Sequence, residues 1–355
     1  KPKAWDKWFP RKHFKPERLR PEQIELRAVV NAISVCYHSR LDDRQRRHHY
    51  RAMIQWELEQ SGFRIDHVER WTWNHEDRFN SLVKTEMKLY LALMEEVPLH
   101  VAANEALLEN VFLMMVCILN RIPIFVVGKP GNSKSLALKI INQNLQGPAS
   151  ASEFWRKERP VYVISYQGSA VSTSEGVQKV FERARNYRKS NPENALVVVH
   201  FDEIGLAEAS PNNPLKVLHA LLEPGYPKDR PDEAVVGLSN YPLDAAKMNR
   251  GITLVRPAPT KPDLLETLKA IVPKGDKRPP DGLLDLLAES YERYYRQQQI
   301  TDFHGLRDFY ALAKSVSIQW KQCGAQKSSD TKRIVFEGVC RNFGGFPHDI
   351  SGQKS

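Results

Sequence analysis

With 41% hydrophobic and 26% charged positions, the 355 residues have the make-up of a globular chain able to bury one large core or two or three small ones. Four cysteines (Cys36, Cys117, Cys323, Cys340) form no C-x-x-C pair, which excludes a zinc finger, a RING-type metal domain or a disulfide scaffold and suits a reducing, cytoplasmic setting. The net charge of +10 is lopsided, since residues 1–51 hold 14 Lys and Arg against 6 Asp and Glu, leaving +2 for everything after.

That basic excess falls on a tail and a first helix carrying Arg44, Arg46, Arg47 and Arg51, which reads as a solvated basic face rather than a nucleic-acid surface. The N-terminus has no apolar stretch of a signal peptide. The most apolar run, Val111 to Leu119, is about half the roughly 20 residues that a membrane span needs, so a buried helix end and no transmembrane segment are expected. A first residue other than Met leads us to expect a fragment or a processed product.

In chain order, residues 1–21 are rich in Pro, Lys and Trp without a period and read as a basic extended arm. Residues 22–121 read as a helical segment, from the spacing of Ile24, Ala28 and Ile33, of Met53, Trp56 and Leu58, and of Leu82, Met87, Leu89 and Leu93, with a further helix near 104–120. Over residues 122–259, apolar strands at Ile124–Val127, Val161–Ser165, Leu196–Phe201, Val235–Ser239 and Ile252–Val255 alternate with helices near 134–145, 176–189, 213–222 and 243–249. That alternation predicts an α/β core, a parallel five-stranded sheet between helices. Residues 260–343 return to helices near 262–271, 281–298, 304–322 and 332–341, a helical lid, and 344–355 read as a flexible tail.

The first core strand runs into Gly128, Lys129, Pro130, Gly131, Asn132, Ser133, Lys134 and Ser135 and then a helix, close to the phosphate-loop pattern G-x-x-x-x-G-K-[ST]. Glycines let successive N–H groups turn inward as an anion nest, and the helix start adds its positive dipole end. Lys134 is placed to neutralise phosphates, and Ser135 to ligate Mg²⁺. Ser133 departs from the pattern, standing where a second glycine is expected and where a positive φ is harder to adopt.

The third strand, LVVVHF, ends in Asp202 and Glu203, 68 positions after Lys134. Apolar residues followed by Asp-Glu form the Walker B arrangement, in which Asp202 holds the metal through water and Glu203 polarises the attacking water. Asn240 ends the fourth strand, where it can bond the γ-phosphate or that water, and it competes with a turn-forming role before Tyr241-Pro242. Arg250 precedes the fifth strand, the place of an arginine finger toward a neighbouring subunit, with an ordinary surface arginine as the alternative. Arg307 stands early on a lid helix, from which it can reach back to the γ-phosphate, with a residue of no such role as the alternative. In STSEG, Ser172 and Glu175 fit a capping box, with a substrate-contacting loop as the alternative. His200 reads as a core-strand residue.

This ordered set resembles an AAA+ ATPase. The wording GKPGNSKSLALKII, STSEG, VVVHFDEIGLAEASPNNPLKVLHALLE, GLSNYPLDAAKMNRG and FHGLRDFY resembles more closely the mysterin family, giant RING-type ubiquitin ligases with a dynein-like array of AAA+ modules. The resemblance covers roughly residues 22–320 and includes a serine at the position of Ser133. It implies an AAA+ fold, ATP and Mg²⁺ as ligands, neighbouring AAA+ modules as partners, and protein or ubiquitin-pathway partners through a parent ligase whose transfer chemistry lies outside this chain. The alternatives are an ATP-holding scaffold with negligible turnover and a motor acting on nucleic acid.

Overall fold

The computed structural model describes residues 21–62, 77–98, 101–191, 195–223, 233–272, 278–300, 302–323 and 328–345. The basic arm before Pro21 and the tail after Gly345 lie outside the described residues. The chain divides into two compact units. One comprises Lys1–Leu99, Ala106–Lys129 and Ser133–Pro257; the other comprises His100–Glu105, Pro130–Asn132 and Ala258–Ser355.

The first unit begins with helices α1 (Pro21–Cys36), α2 (Arg44–Gln60), α3 (Arg78–Ala92) and α4 (Glu105–Asn120). Its sheet is built from β1 (Ile124–Val127), β2 (Val161–Gln167), β3 (Leu196–Asp202), β4 (Ala234–Ser239) and β5 (Ile252–Val255). Between them lie α5 (Lys134–Asn144), α6 (Ser174–Ser190), α7 (Ile204–Glu208), α8 (Leu218–Leu221) and α9 (Ala245–Met248). The strand order is β2-β3-β4-β1-β5 with every pair parallel. Residues of β1 and β4 are buried throughout and those of β3 up to Asp202, as expected of strands covered on both faces, whereas the edge strand β2 shows a mixed pattern. The chain leaves β1, crosses two strands and returns at the edge through β2. The carboxyl end of β1 is therefore a topological switch point, where open α/β sheets bind ligands.

Side-chain alternation sorts β3. Val197, Val199 and Phe201 pack with Val177, Val180 and Phe181 of α6, so His200 and Asp202 turn to the opposite face. His200 is buried and shares a hydrogen bond with Ser165 of β2 (Nδ1 to Oγ, 3.1 Å), as a core-strand histidine.

The arginine-rich helix corrects the sequence reading. Arg47 is buried, bridging both carboxylate oxygens of Glu109 at 3.1 Å and donating to the carbonyls of Leu41 (2.8 Å) and Val255 (2.7 Å). Arg256 meets the same Glu109 carboxylate, and Ser39 donates to the Thr253 carbonyl at 3.0 Å. Arg51 pairs with Asp77 at 2.8 Å. Of the four arginines, Arg47 is thus spent inside the fold, on an ion cluster and on a carbonyl of β5, whose outer edge would otherwise lack partners, and Arg51 is partly buried against Asp77. In exchange, α2 turns Met53 (48% exposed) and Trp56 (58%) outward, although their spacing had suggested a buried stripe.

Other boundaries differ in small ways. Residues 213–222 form a 3₁₀ turn, Pro214–Val217, followed by the single turn α8. The cap of α6 is Thr173, whose Oγ1 accepts the Gly176 N–H at 3.2 Å; Ser172 instead accepts the Ser169 N–H at 3.0 Å within the preceding loop. The α4 helix is buried along nearly its whole length, and among the described residues no helix is long and apolar enough to cross a membrane.

The second unit holds α10 (Lys261–Ile271), α11 (Asp281–Gln297), α12 (Leu306–Cys323) and α13 (Ser328–Phe343) around Leu264, Leu268, Leu284, Phe309, Val316 and Ile334. A capping box between Thr260 and Asp263 opens α10, and Lys261 ties it to Asp285 (2.8 Å) and Glu289 (2.9 Å) of α11.

Candidate functional site

The loop after β1 begins level with the end of β4. Val127 pairs with Ser239, and the Gly128 N–H donates to the Ser239 carbonyl at 3.1 Å. Gly131 stands at φ +90°, open only to glycine at low cost, and Ser133 at φ +56°, ψ +21° takes the left-handed conformation a second glycine would have supplied. The loop therefore keeps its shape with a strained serine. Lys134 begins α5 and is buried. Its Nζ donates to the carbonyls of Gly128 and Lys129 (3.2 Å for the latter) and to Oδ1 of Asn240 at 2.9 Å. The loop lysine and the residue ending β4 are thereby joined. Ser135 is exposed in the first helical turn, as are Lys129 and Pro130; Asn132 is buried.

Asp202 closes β3 with its carboxylate partly exposed and accepts the Glu203 N–H at 3.1 Å. Glu203 is itself left-handed at φ +50°, so the chain turns sharply out of the strand. Gly168, next to this turn, leaves no room for a Cβ, which would meet the Glu203 carbonyl at 2.4 Å. Gln167, in register with Asp202, donates from Nε2 to Glu203 Oε2 at 3.1 Å. Our reading of the motifs passed over Gln167; the available signal was a polar residue ending the strand beside the Asp-Glu strand.

Arg250 lies at the amino end of β5, half-buried, with its Nε 3.3 Å from Glu223 Oε1 and its guanidinium also on the Ala246 carbonyl. The register Ile124↔Ile252 to Val127↔Val255 puts the length of β1, roughly 13 Å, between that end and the phosphate loop. Arg250 is thus not brought to the loop of its own unit.

In the second unit, Arg307 is exposed in the first turn of α12. The FHGLRDFY stretch around it is accounted for nearly residue by residue. His304 is buried and bonds the Tyr294 hydroxyl at 2.6 Å, and the Gly305 N–H donates to Asp308 at 2.8 Å. Phe309 stacks on Tyr291 with ring centroids 4.4 Å apart, and the Tyr310 hydroxyl donates to the Gly131 carbonyl at 3.3 Å. Burial pushes the Tyr310 hydroxyl up to about 12, so it is a donor at every physiological pH.

Residues 100–263 match the family model of the RNF213 AAA domain. This stretch belongs to that family. RNF213 is mysterin, so the resemblance drawn from the motifs is borne out. The chain is 37% identical over 332 residues to the human E3 ubiquitin-protein ligase RNF213, covering 90% of the chain and 6% of that protein. It is 36% identical over 355 residues to the zebrafish (Danio rerio) rnf213-beta, covering 96% of the chain and 6% of that protein. The chain thus spans about 6% of the length of these curated relatives. Among solved structures, the Aeropyrum pernix ORC2 protein in ADPNP–ADP complexes superposes with a TM-score of 0.48 at 13% identity over 74% of each chain. The matched AAA stretch holds the parallel five-stranded sheet, with helices before it and after it in the chain.

Proposed function

We propose that the module binds and hydrolyses Mg²⁺-ATP. The observation that carries this reading is the Lys134 ammonium, which spans the loop carbonyls and Asn240 at the switch point of the sheet, with Asp202 and Glu203 ending β3 on the other side of β4. The backbone N–H groups of Lys129 and of residues 131–134 at the start of α5 receive the phosphates, and Lys134 transfers its bonds from loop carbonyls to phosphate oxygens. Ser135 and Asp202 are hard oxygen donors that fit Mg²⁺, which when bound offsets charge on the phosphates. Glu203 accepts the proton of the attacking water, Gln167 orients that carboxylate, and Asn240 aligns the water or the γ-phosphate. Arg307 reaches the γ-phosphate from the lid, and Arg250 serves the nucleotide of a neighbouring module.

The partition into segments 22–121, 122–259 and 260–343 belongs to the same reading, with neighbouring AAA+ modules as partners in a longer chain. Ubiquitin transfer belongs to the relatives named as ligases, and for a longer parent of this chain it is part of the proposal. Four free cysteines support a cytoplasmic setting.

Isothermal titration of the chain with ATP and MgCl₂ tests the reading. Saturable binding that disappears in Lys134→Ala is expected. A folded chain that does not bind, or Lys134→Ala binding like the wild type, overturns it. A single-turnover assay of bound ATP separates hydrolysis from a scaffold that merely holds the nucleotide.

A further inference from the structure

Four polar side chains share one face of the sheet where β2 and β3 run side by side. The register pairs Ser165 with His200 and Gln167 with Asp202, and residues paired across parallel strands point to the same side. Gln167 and Asp202 end their strands. His200 lies one step deeper, among apolar neighbours: Val198 on its own strand and Val236, its register partner on β4, are both fully buried. All of these residues belong to the first unit.

His200 is 8% exposed, and only one of its ring nitrogens is satisfied. Nδ1 shares the hydrogen bond with the Ser165 hydroxyl, whereas Nε2 is buried with no partner among the described residues. Burial lowers the pKa of the ring while the Asp202 carboxylate pulls the other way, so the imidazole is neutral and each nitrogen has a single role, donor or acceptor. A polar group left unpaired in a core is costly, and an apolar residue in this place would avoid the cost. Side chains two positions apart on a strand stand about 6.6 Å from one another, within reach of a single bridging water. From His200, Asp202 is that side chain.

We propose that His200 is a positioning residue for Asp202: its Nε2, through one water, holds the carboxylate in the orientation that receives Mg²⁺, and Ser165 fixes the ring. This rests on the reading of Asp202 as a holder of Mg²⁺. A water both donates and accepts, so it meets Nε2 in either tautomer and still donates to the carboxylate. Outer partners of this kind orient metal-binding carboxylates, and their loss weakens the metal.

The test is the dissociation constant of the chain for ATP, measured by titration in EDTA and again in saturating MgCl₂; the ratio of the two reports what Mg²⁺ adds. His200→Leu should reduce that ratio about 10-fold, with the constant in EDTA within about twofold of wild type and the urea midpoint no lower. His200→Asn, whose amide ends near the place of Nδ1, should lower the ratio likewise. His200→Gln brings an amide to the place of Nε2 and should keep the ratio within about threefold of wild type. These two variants carry the test if His200→Leu fails to fold. A folded His200→Leu with the wild-type ratio, or Asn and Gln variants that behave alike, overturns the proposal. So does a loss that falls equally on both constants, the mark of a merely structural role. If Asp202→Ala abolishes the Mg²⁺ contribution and the His200 variants keep it, only this inference falls. If wild type binds no ATP, or binds it without regard to Mg²⁺, the reading of the site falls and this inference with it.

Discussion

Glu203 combines a strained backbone with a directed carboxylate: φ +50° turns the chain, and Gln167 fixes one oxygen. A general base that only polarises water contributes little to ground-state binding. Glu203→Gln is therefore expected to lower single-turnover hydrolysis by about 10²- to 10⁴-fold while ATP affinity stays within about threefold. Equal loss of both would mean that Glu203 supports the loop rather than the reaction. At this scale the sequence was informative wherever the pattern is local. Asp202 and Asn240 could be placed at strand ends, and Lys134 at a helix start, because alternating apolar runs and turns are readable in one dimension. The left-handed serine was visible only as a doubt at Ser133, since side-chain identity states the cost of a positive φ and not whether the fold imposes it.

The titration of a buried group gives a second residue-scale expectation. Burial raises the Glu86 carboxyl above its ordinary range, and the adjacent Arg27 offsets this only in part. The folded chain then keeps a proton that the unfolded chain releases. The stability that Glu86 contributes is present below about 4.5 and is lost as pH rises through the folded value. Urea midpoints followed upward from pH 4 should decline relative to those of Glu86→Gln, which cannot titrate. A constant difference between the two proteins across that range would show that the ion pair, not burial, governs Glu86.

Among elements, the edge of β5 shows what the sequence hid. Nothing in the spacing of α2 announces that Arg47 will be buried, because a helix rich in Arg and exposed in Met53 and Trp56 has its polarity inverted relative to the usual amphipathic rule. The inversion makes sense only once Glu109 of α4 and the carbonyls of β5 are brought together, contacts more than 60 and 200 residues away along the chain. Glu109 lies between two buried guanidinium groups. Glu109→Ala leaves both without their counter-charge, and a loss of about 3–5 kcal/mol is expected in urea unfolding. Arg46→Ala, on an exposed pair with Asp42, should cost under about 1 kcal/mol. Comparable losses from the two variants would show that the cluster is solvated in solution.

For the whole molecule, the proposed role of Arg250 as a finger toward a neighbouring module rests on the parallel register. Its place at the amino end of β5, with β1 between it and the loop, denies it the phosphates of its own module, and Glu223 holds it meanwhile. An arginine supplied in trans stabilises charge that develops only in the transition state, worth about 10³–10⁵ in turnover in related phosphoryl-transfer systems. The chain covers about 6% of relatives in which further sequence could supply such a neighbour. The module alone should therefore bind ATP and turn it over slowly, and a longer chain with its flanking sequence should be faster. In that longer chain Arg250→Ala should lower hydrolysis at the adjacent site and leave ATP affinity at this one unchanged. Breaking the tether to Glu223 by Glu223→Ala should not lower turnover, because the ion pair competes with the finger role rather than assisting it. An isolated monomer with full activity, or an Arg250→Ala variant that loses its own ATP, would place the arginine in cis and contradict the register.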